Sequence, residues 1–213
     1  MSSYPLSLAL QNFMPVLLSA AALWNFGRML ARDGATSAAA ASIAMLLIVL
    51  GGSMKAFWKL LMSMWNIDVP LLSVALFPLI APGFALLALT VLRVRASRAK
   101  LAIAAIVAVL LGSAVSATAG VTMWKMPLLT LLTTAMLACA IGLVRRARAE
   151  RDSLSTVLVL TCTLTSFGLS GIAAAGAGSL SLQWTEQIVS TLGASALLWA
   201  AWRMRAAAAE KII

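Results

Sequence analysis

At 213 residues, the chain is 62% hydrophobic, 10% charged and carries a formal net charge of +10. A water-soluble domain is about 45–50% apolar and about 25% charged, so the composition excludes an aqueous globular fold and implies lipid as the solvent. The excess positive charge reads as loop charge facing anionic headgroups, not as a nucleic-acid surface, and no nucleic-acid partner is expected.

The apolar stretches divide into seven expected spans. Span one covers about Pro5 to Phe26 and ends at Arg28 and Arg32. No basic n-region precedes Arg28, so a retained span with an outer N-terminus is expected in place of a cleavable signal peptide. Span two covers about 35–52, ending at Gly51–Gly52. The next segment, about 53–66, is too polar to continue a span. Lys55, Lys59, Ser63 and Asn66 recur on one helical face, with Phe57, Trp58, Met62, Met64 and Trp65 covering the rest. The pattern predicts a short amphipathic helix in the outer interface, hinged at the glycine pair, acting as an anchor or as a lid over a cavity.

Span three, about 69–92, holds Pro78 and Pro82, with Pro70 just before it. Each interior proline removes a donor and clashes with the carbonyl four residues back, which predicts a bent helix facing protein or water. Span four, about 101–123, carries a stripe of small residues: Ala104, Ala108, Gly112, Ser116 and Gly120. Span five covers about 126–144. Span six, about 154–180, carries Ser166, Ser170, Ala174 and Gly178 and the further hydroxyls Thr161, Thr163 and Thr165. Small stripes mark close helix contacts in lipid, so spans four and six are expected at the centre, with polar groups bonding across helices. Span seven covers about 187–202.

Of the sixteen Lys and Arg residues, thirteen fall on one side of this arrangement; Lys55, Lys59 and Lys125 fall on the other. Basic loops stay cytoplasmic, which orients the chain N-out and C-in. Each Trp also falls at a predicted membrane boundary. The expected fold is all-α: one polytopic membrane domain over residues 1–213 with seven transmembrane helices.

Chemistry is sparse. The chain has no histidine, and Cys139 and Cys162 both lie in apolar runs. Neither a metal site, a haem, nor a disulfide framework is expected. No nucleotide fingerprint is present, and no span holds an acid for a proton relay. Retinal proteins need a lysine in the last span, and span seven has none. The grouping of Ser53, Lys55 and Lys59 lacks a base–orienter pair, so no catalytic residue, cofactor or enzyme activity is expected.

Spans one and five both begin in Met-Pro (Met14–Pro15, Met126–Pro127) and close with Arg-Asp (Arg32–Asp33, Arg151–Asp152). Spans one to three and five to seven share an orientation, with span four as linker. This resembles the topological plan of the three-one-three sugar facilitators, in plan only: span two lacks the proline expected there, and no family motif is present. An inverted three-plus-three pair is equally open.

The expected function is a small-solute facilitator or channel-like transporter of a bacterial-type inner membrane. Its cavity is expected to draw on Asn12, Asn25, Pro78, Pro82, Thr165 and Ser166, with Lys55, Lys59, Asp68 and Glu186 at the outer rim. Expected partners are membrane lipids, a small-molecule solute, and a protein docking on the outer Trp/Met-rich helix. The alternative is a non-transporting scaffold, assembly factor or accessory subunit of a larger membrane complex.

Overall fold

The computed structural model describes residues 5–174 and 179–210, with side chains described for 5–169 and 179–207. The stripe positions Ser170, Ala174 and Gly178 lie outside the described side chains, as does Lys211. The described residues are helical throughout, joined by short turns, with no strand among them. In lipid every backbone donor and acceptor needs an internal partner, and a helix supplies one within each segment.

The helices are α1 (Leu6–Gln11), α2 (Phe13–Leu30), α3 (Ala35–Trp65), α4 (Pro70–Val74), α5 (Leu76–Val91), α6 (Ala96–Thr118), α7 (Met126–Ala149), α8 (Ser153–Ala174) and α9 (Leu180–Glu210). α1 and α2 meet at Asn12, and α4 and α5 at Ala75, so they stack into seven rods. Five rods are long and apolar enough to cross a membrane: Leu6–Asp33, Ala35–Trp65, Pro70–Val91, Ala96–Thr118 and Met126–Ala149. They mark a membrane protein. The described apolar part of α8, Ser153–Leu169, is shorter. α9 is not among the five, because Glu186 and Gln187 at one end and Arg203 and Arg205 at the other shorten its apolar stretch.

Six rods close a ring in the order α2, α3, α5, α7, α8, α9 and back to α2. The pairs α3/α5 and α8/α9 pack most extensively within each set of three, while α2/α9 and α5/α7 join the sets. The first three rods and the last three therefore occupy equivalent places around one axis, each set running in the same sense.

Span four is corrected by this arrangement. α6 lies outside the ring with α5 and α7 as its main neighbours, and Ile106 and Ser113 are its buried residues. Ala104, Ala108, Gly112 and Gly120 are exposed, so the small stripe faces away from the bundle. A stripe permits close approach, but other helices already occupy the partner positions.

The interfacial helix is corrected too. α3 runs unbroken through Gly51–Gly52 to Trp65 and stops at Asn66 in a left-handed conformation, φ 53°. Its 31 residues span about 46 Å at about 1.5 Å per residue, against about 30 Å of hydrocarbon. The polar segment is the last part of this one long helix and no separate element. The glycines serve packing: a Cβ at Gly51 would lie 2.9 Å from Ile80 Cγ2, and one at Gly52 3.2 Å from Val16 Cγ2.

The proline reading matches span three. Pro78 deprives the Val74 carbonyl of its usual donor; α4 ends at Val74 and α5 restarts at Leu76. Pro82 stays inside α5 and is buried. The main hydrophobic cluster lies in the half of the bundle near the basic loops, around Phe26, Leu30, Leu143, Ala147, Ala200 and Met204.

Candidate functional site

Four helices give matching faces to the ring axis. On the first rod the facing positions are Asn12 at the α1–α2 junction and Val16, Ser19 and Leu23 of α2; on α3, Ile48, Gly52, Lys55 and Lys59; on α5, Leu76, Ile80 and Phe84; on α9, Gln187, Ser190 and Leu197. Steps of three and four keep each set on one side of its helix. Between them lies a 290 Å³ vestibule that reaches the end of the bundle opposite the basic loops.

A second cavity of 140 Å³ lies deeper, where α7 and α8 add Cys139, Cys162, Thr165 and Ser166. The two cavities share Ser19, Leu23, Phe84, Ser190 and Leu197 as walls. The cavities adjoin, with Phe84 in the wall between them. The lower wall of the deeper one is apolar, made by Phe26, Leu87, Leu143 and Val159.

Beyond that floor, ion pairs tie the basic end together. Asp33, in the turn after α2, pairs with Arg93 at the end of α5 and with Arg146 of α7. Asp152, between α7 and α8, pairs with Arg203 of α9 at 3.1 Å. Arg205 donates to Asn25 Oδ1 at 3.0 Å, joining α9 to α2. The two Arg-Asp motifs noted in the sequence thus hold equivalent corners: each aspartate follows the first rod of its set and pairs with an arginine at the end of the third.

The expected site residues separate into groups. Asn12, Lys55, Lys59 and Glu186 meet in the vestibule. Thr165 and Ser166 line the inner chamber. Asn25 is buried, 9% exposed, and belongs to the closure at the basic end. Pro78 and Pro82 shape α5, while the face it turns to the cavities is Leu76, Ile80, Phe84 and Leu87. Asp68 lies off the site, exposed, accepting from the Trp58 indole at 2.8 Å.

Within the vestibule the Lys59 ammonium donates to Asn12 Oδ1 at 2.8 Å, and the Asn12 amide nitrogen donates to the Leu8 carbonyl. Lys55, one turn earlier, makes no such contact among the described residues, and its charge is opposed by that of Glu186. Among the described residues, Thr163, Thr165 and Ser166 of span six bond within their own helix and not across helices as expected. Thr165 Oγ1 donates to the carbonyls of Thr161 and Cys162, and Ser166 Oγ to that of Cys162. The carbonyls one turn back take these donors, and each oxygen keeps acceptor capacity toward the chamber.

Sequence reasoning missed Ser19, Phe84, Gln187 and Ser190. A signal was present for α9, because Gln187, Ser190, Ala194 and Leu197 recur at helical spacing on one face. It was obscured by placing Gln187 at a span boundary. Among the described residues no group of three or more His, Cys, Asp or Glu side chains could hold a metal ion. No known protein family, curated protein or solved structure matches the chain.

Proposed function

We propose that the chain is a non-enzymatic small-solute facilitator or channel-like transporter. In this reading all seven rods cross a bacterial-type inner membrane, N-terminus outside and C-terminus in the cytoplasm. One observation supports it: two adjoining cavities inside a six-helix ring, the upper lined by Lys55, Lys59 and Glu186 and the lower floored by apolar side chains. A structural bundle gains nothing from such a void, because unfilled space forfeits the packing contacts that hold helices together in lipid. The arrangement fits one state of an alternating-access cycle, with the mouth open outward and the ion-paired end shut.

The test is uptake of small labelled solutes, organic acids included, into liposomes holding the purified chain. Saturable flux above that of empty vesicles is expected. Flux equal to empty vesicles for every solute rejects transport.

A second reading has its own support. The last part of α3 exposes Phe57, Met64 and Trp65, and α6 presents an outward small-residue face. A scaffold or accessory subunit would use these surfaces to hold a protein partner. Gentle detergent extraction then yields a partner in fixed ratio, which a stand-alone transporter does not require.

A further inference from the structure

The vestibule brings two lysines and one glutamate to its wall. Lys55 and Lys59 lie one turn apart on α3, and Glu186 faces them from α9. Lys59 is engaged by Asn12. Lys55 is half-buried and forms no ion pair or hydrogen bond among the described residues. An ammonium withdrawn from water without a partner is costly, so a built-in cation of this kind calls for an anion from outside the chain. Lys125 also bears on Lys55, so positive charge exceeds the single negative charge of Glu186 and leaves room for an added anion. Gln187, Ser19 and Ser190 add hydrogen-bonding groups beside that position. Below it the wall turns apolar, at Leu23, Phe84 and Leu197, and continues into the inner chamber.

We propose that the vestibule is a binding site for a small organic monoanion, a monocarboxylate with an apolar body. Its carboxylate pairs with Lys55 and its hydrocarbon part points toward Phe84. This assignment rests on the transport reading for its purpose, but it is tested by binding alone. Charge sets the orientation, and the apolar chamber beneath excludes small inorganic ions, which would lose their hydration there without compensation.

The experiment uses the full chain in nanodiscs of zwitterionic lipid, with binding read by calorimetric titration and by thermal shift. The probes are sodium benzoate, its uncharged counterpart benzamide, and sodium phosphate at matched ionic strength. Benzoate is expected to bind saturably and raise Tm, with benzamide weaker by about tenfold or more and phosphate no better than chloride. Lys55→Met is expected to weaken benzoate by about tenfold, and Lys55→Arg to retain it within a few-fold. Equal binding of benzoate and benzamide overturns the proposal, as does wild-type affinity in Lys55→Met. Binding of phosphate as tightly as benzoate overturns the apolar half of it. Should Lys55→Met fail to fold, the benzoate and benzamide comparison on the unmodified chain still decides.

A second set of nanodiscs contains anionic lipid. Unchanged benzoate affinity supports a free acid as ligand, whereas competition reassigns the site to a lipid headgroup and overturns the proposal. Benzoate binding without flux rejects transport and leaves the site standing. Flux of neutral solutes without benzoate binding rejects the site and leaves transport standing.

Discussion

Asn12 and Asn25 lie near opposite ends of the first rod and use their amides alike. Each amide nitrogen donates to the carbonyl one turn back, Leu8 and Ala21, which frees Oδ1 to accept from a cation on another helix. A neutral side chain thereby steadies a lysine at the mouth and an arginine at the closed end without adding a buried charge. Asp152 does comparable work with a charge of its own. It caps α8, accepting from the Ser155 N–H at 3.1 Å and from the Ser155 hydroxyl at 2.6 Å, and it also receives Arg203. Burial alone would raise its carboxyl, but the hydrogen bonds from Ser155 and Arg203 outweigh that and hold it below the ordinary value of 3.8. A depressed folded-state value means that the stabilisation is present above the unfolded value and is lost as pH falls through the folded one. Asp152→Ala is therefore expected to cost about 1–2 kcal/mol at neutral pH. The gap from wild type should close on acidification below the ordinary carboxylate value. Asp152→Asn keeps a capping oxygen and should lose less, again without the acid-dependent part. Denaturation in detergent across that pH range checks both. At this scale the sequence showed which polar residues interrupt apolar runs, but not their partners, since Arg205 and Asn25 meet only after the ring has closed.

At the scale of helices, glycine placement decides which rods touch. A Cβ built at Gly83 would lie 2.7 Å from Ile48 Cγ1 and 3.1 Å from the Ala44 carbonyl, so α3 and α5 approach nearly backbone to backbone. Gly51 serves the same interface from the opposite helix. Gly193 repeats the device in the second set of three, where its position on α9 faces Thr165 of α8. Gly83→Ala is expected to destabilise by about 1–3 kcal/mol, because the nearest atoms include backbone that cannot turn aside. Gly112→Ala on α6 meets nothing within 4 Å and should be neutral or stabilising by up to about 1 kcal/mol through helix propensity. Thermal melts of the two variants in one detergent test the contrast, and equal loss in both would contradict the packing account. These glycines also show where the sequence misled. Gly51–Gly52 read as a hinge because flexibility and close packing leave the same mark on a chain. The stripe on span four read as a contact because residue size reveals a permitted approach and not a partner. The proline break at Val74 was legible, because a missing donor acts within four residues of its cause.

At the scale of the molecule, the two sets of three rods enclose two adjoining cavities, and ion pairs tie the rods together at the basic end. The apolar stretches and the charge asymmetry were visible in the sequence, because each is a regularity along the chain, whereas the paired Met-Pro and Arg-Asp motifs left a parallel and an inverted plan equally open. The ring order was not, since it depends on which faces meet. Cys162 gives a reporter inside these cavities: it is half-buried, lines the inner chamber and forms no disulfide. In sealed vesicles of defined orientation, a membrane-impermeant thiol reagent is expected to label Cys162 from the mouth side and only at background from the basic side. Cys139 is 5% exposed, its thiol directed at the Phe84 carbonyl at 3.5 Å, and should react more slowly. The closure depends on Asp33, which holds both Arg93 and Arg146. Asp33→Asn removes the shared anion and leaves two guanidinium groups to repel each other across the joint between α5 and α7. Labelling of Cys162 from the basic side should then rise several-fold while labelling from the mouth changes little. If the unmodified protein labelled equally from both sides, the cavities would form a through-channel and the ion pairs no gate. If Asp33→Asn left basic-side labelling at background, the apolar floor at Phe26 and Val159 would hold the closure alone.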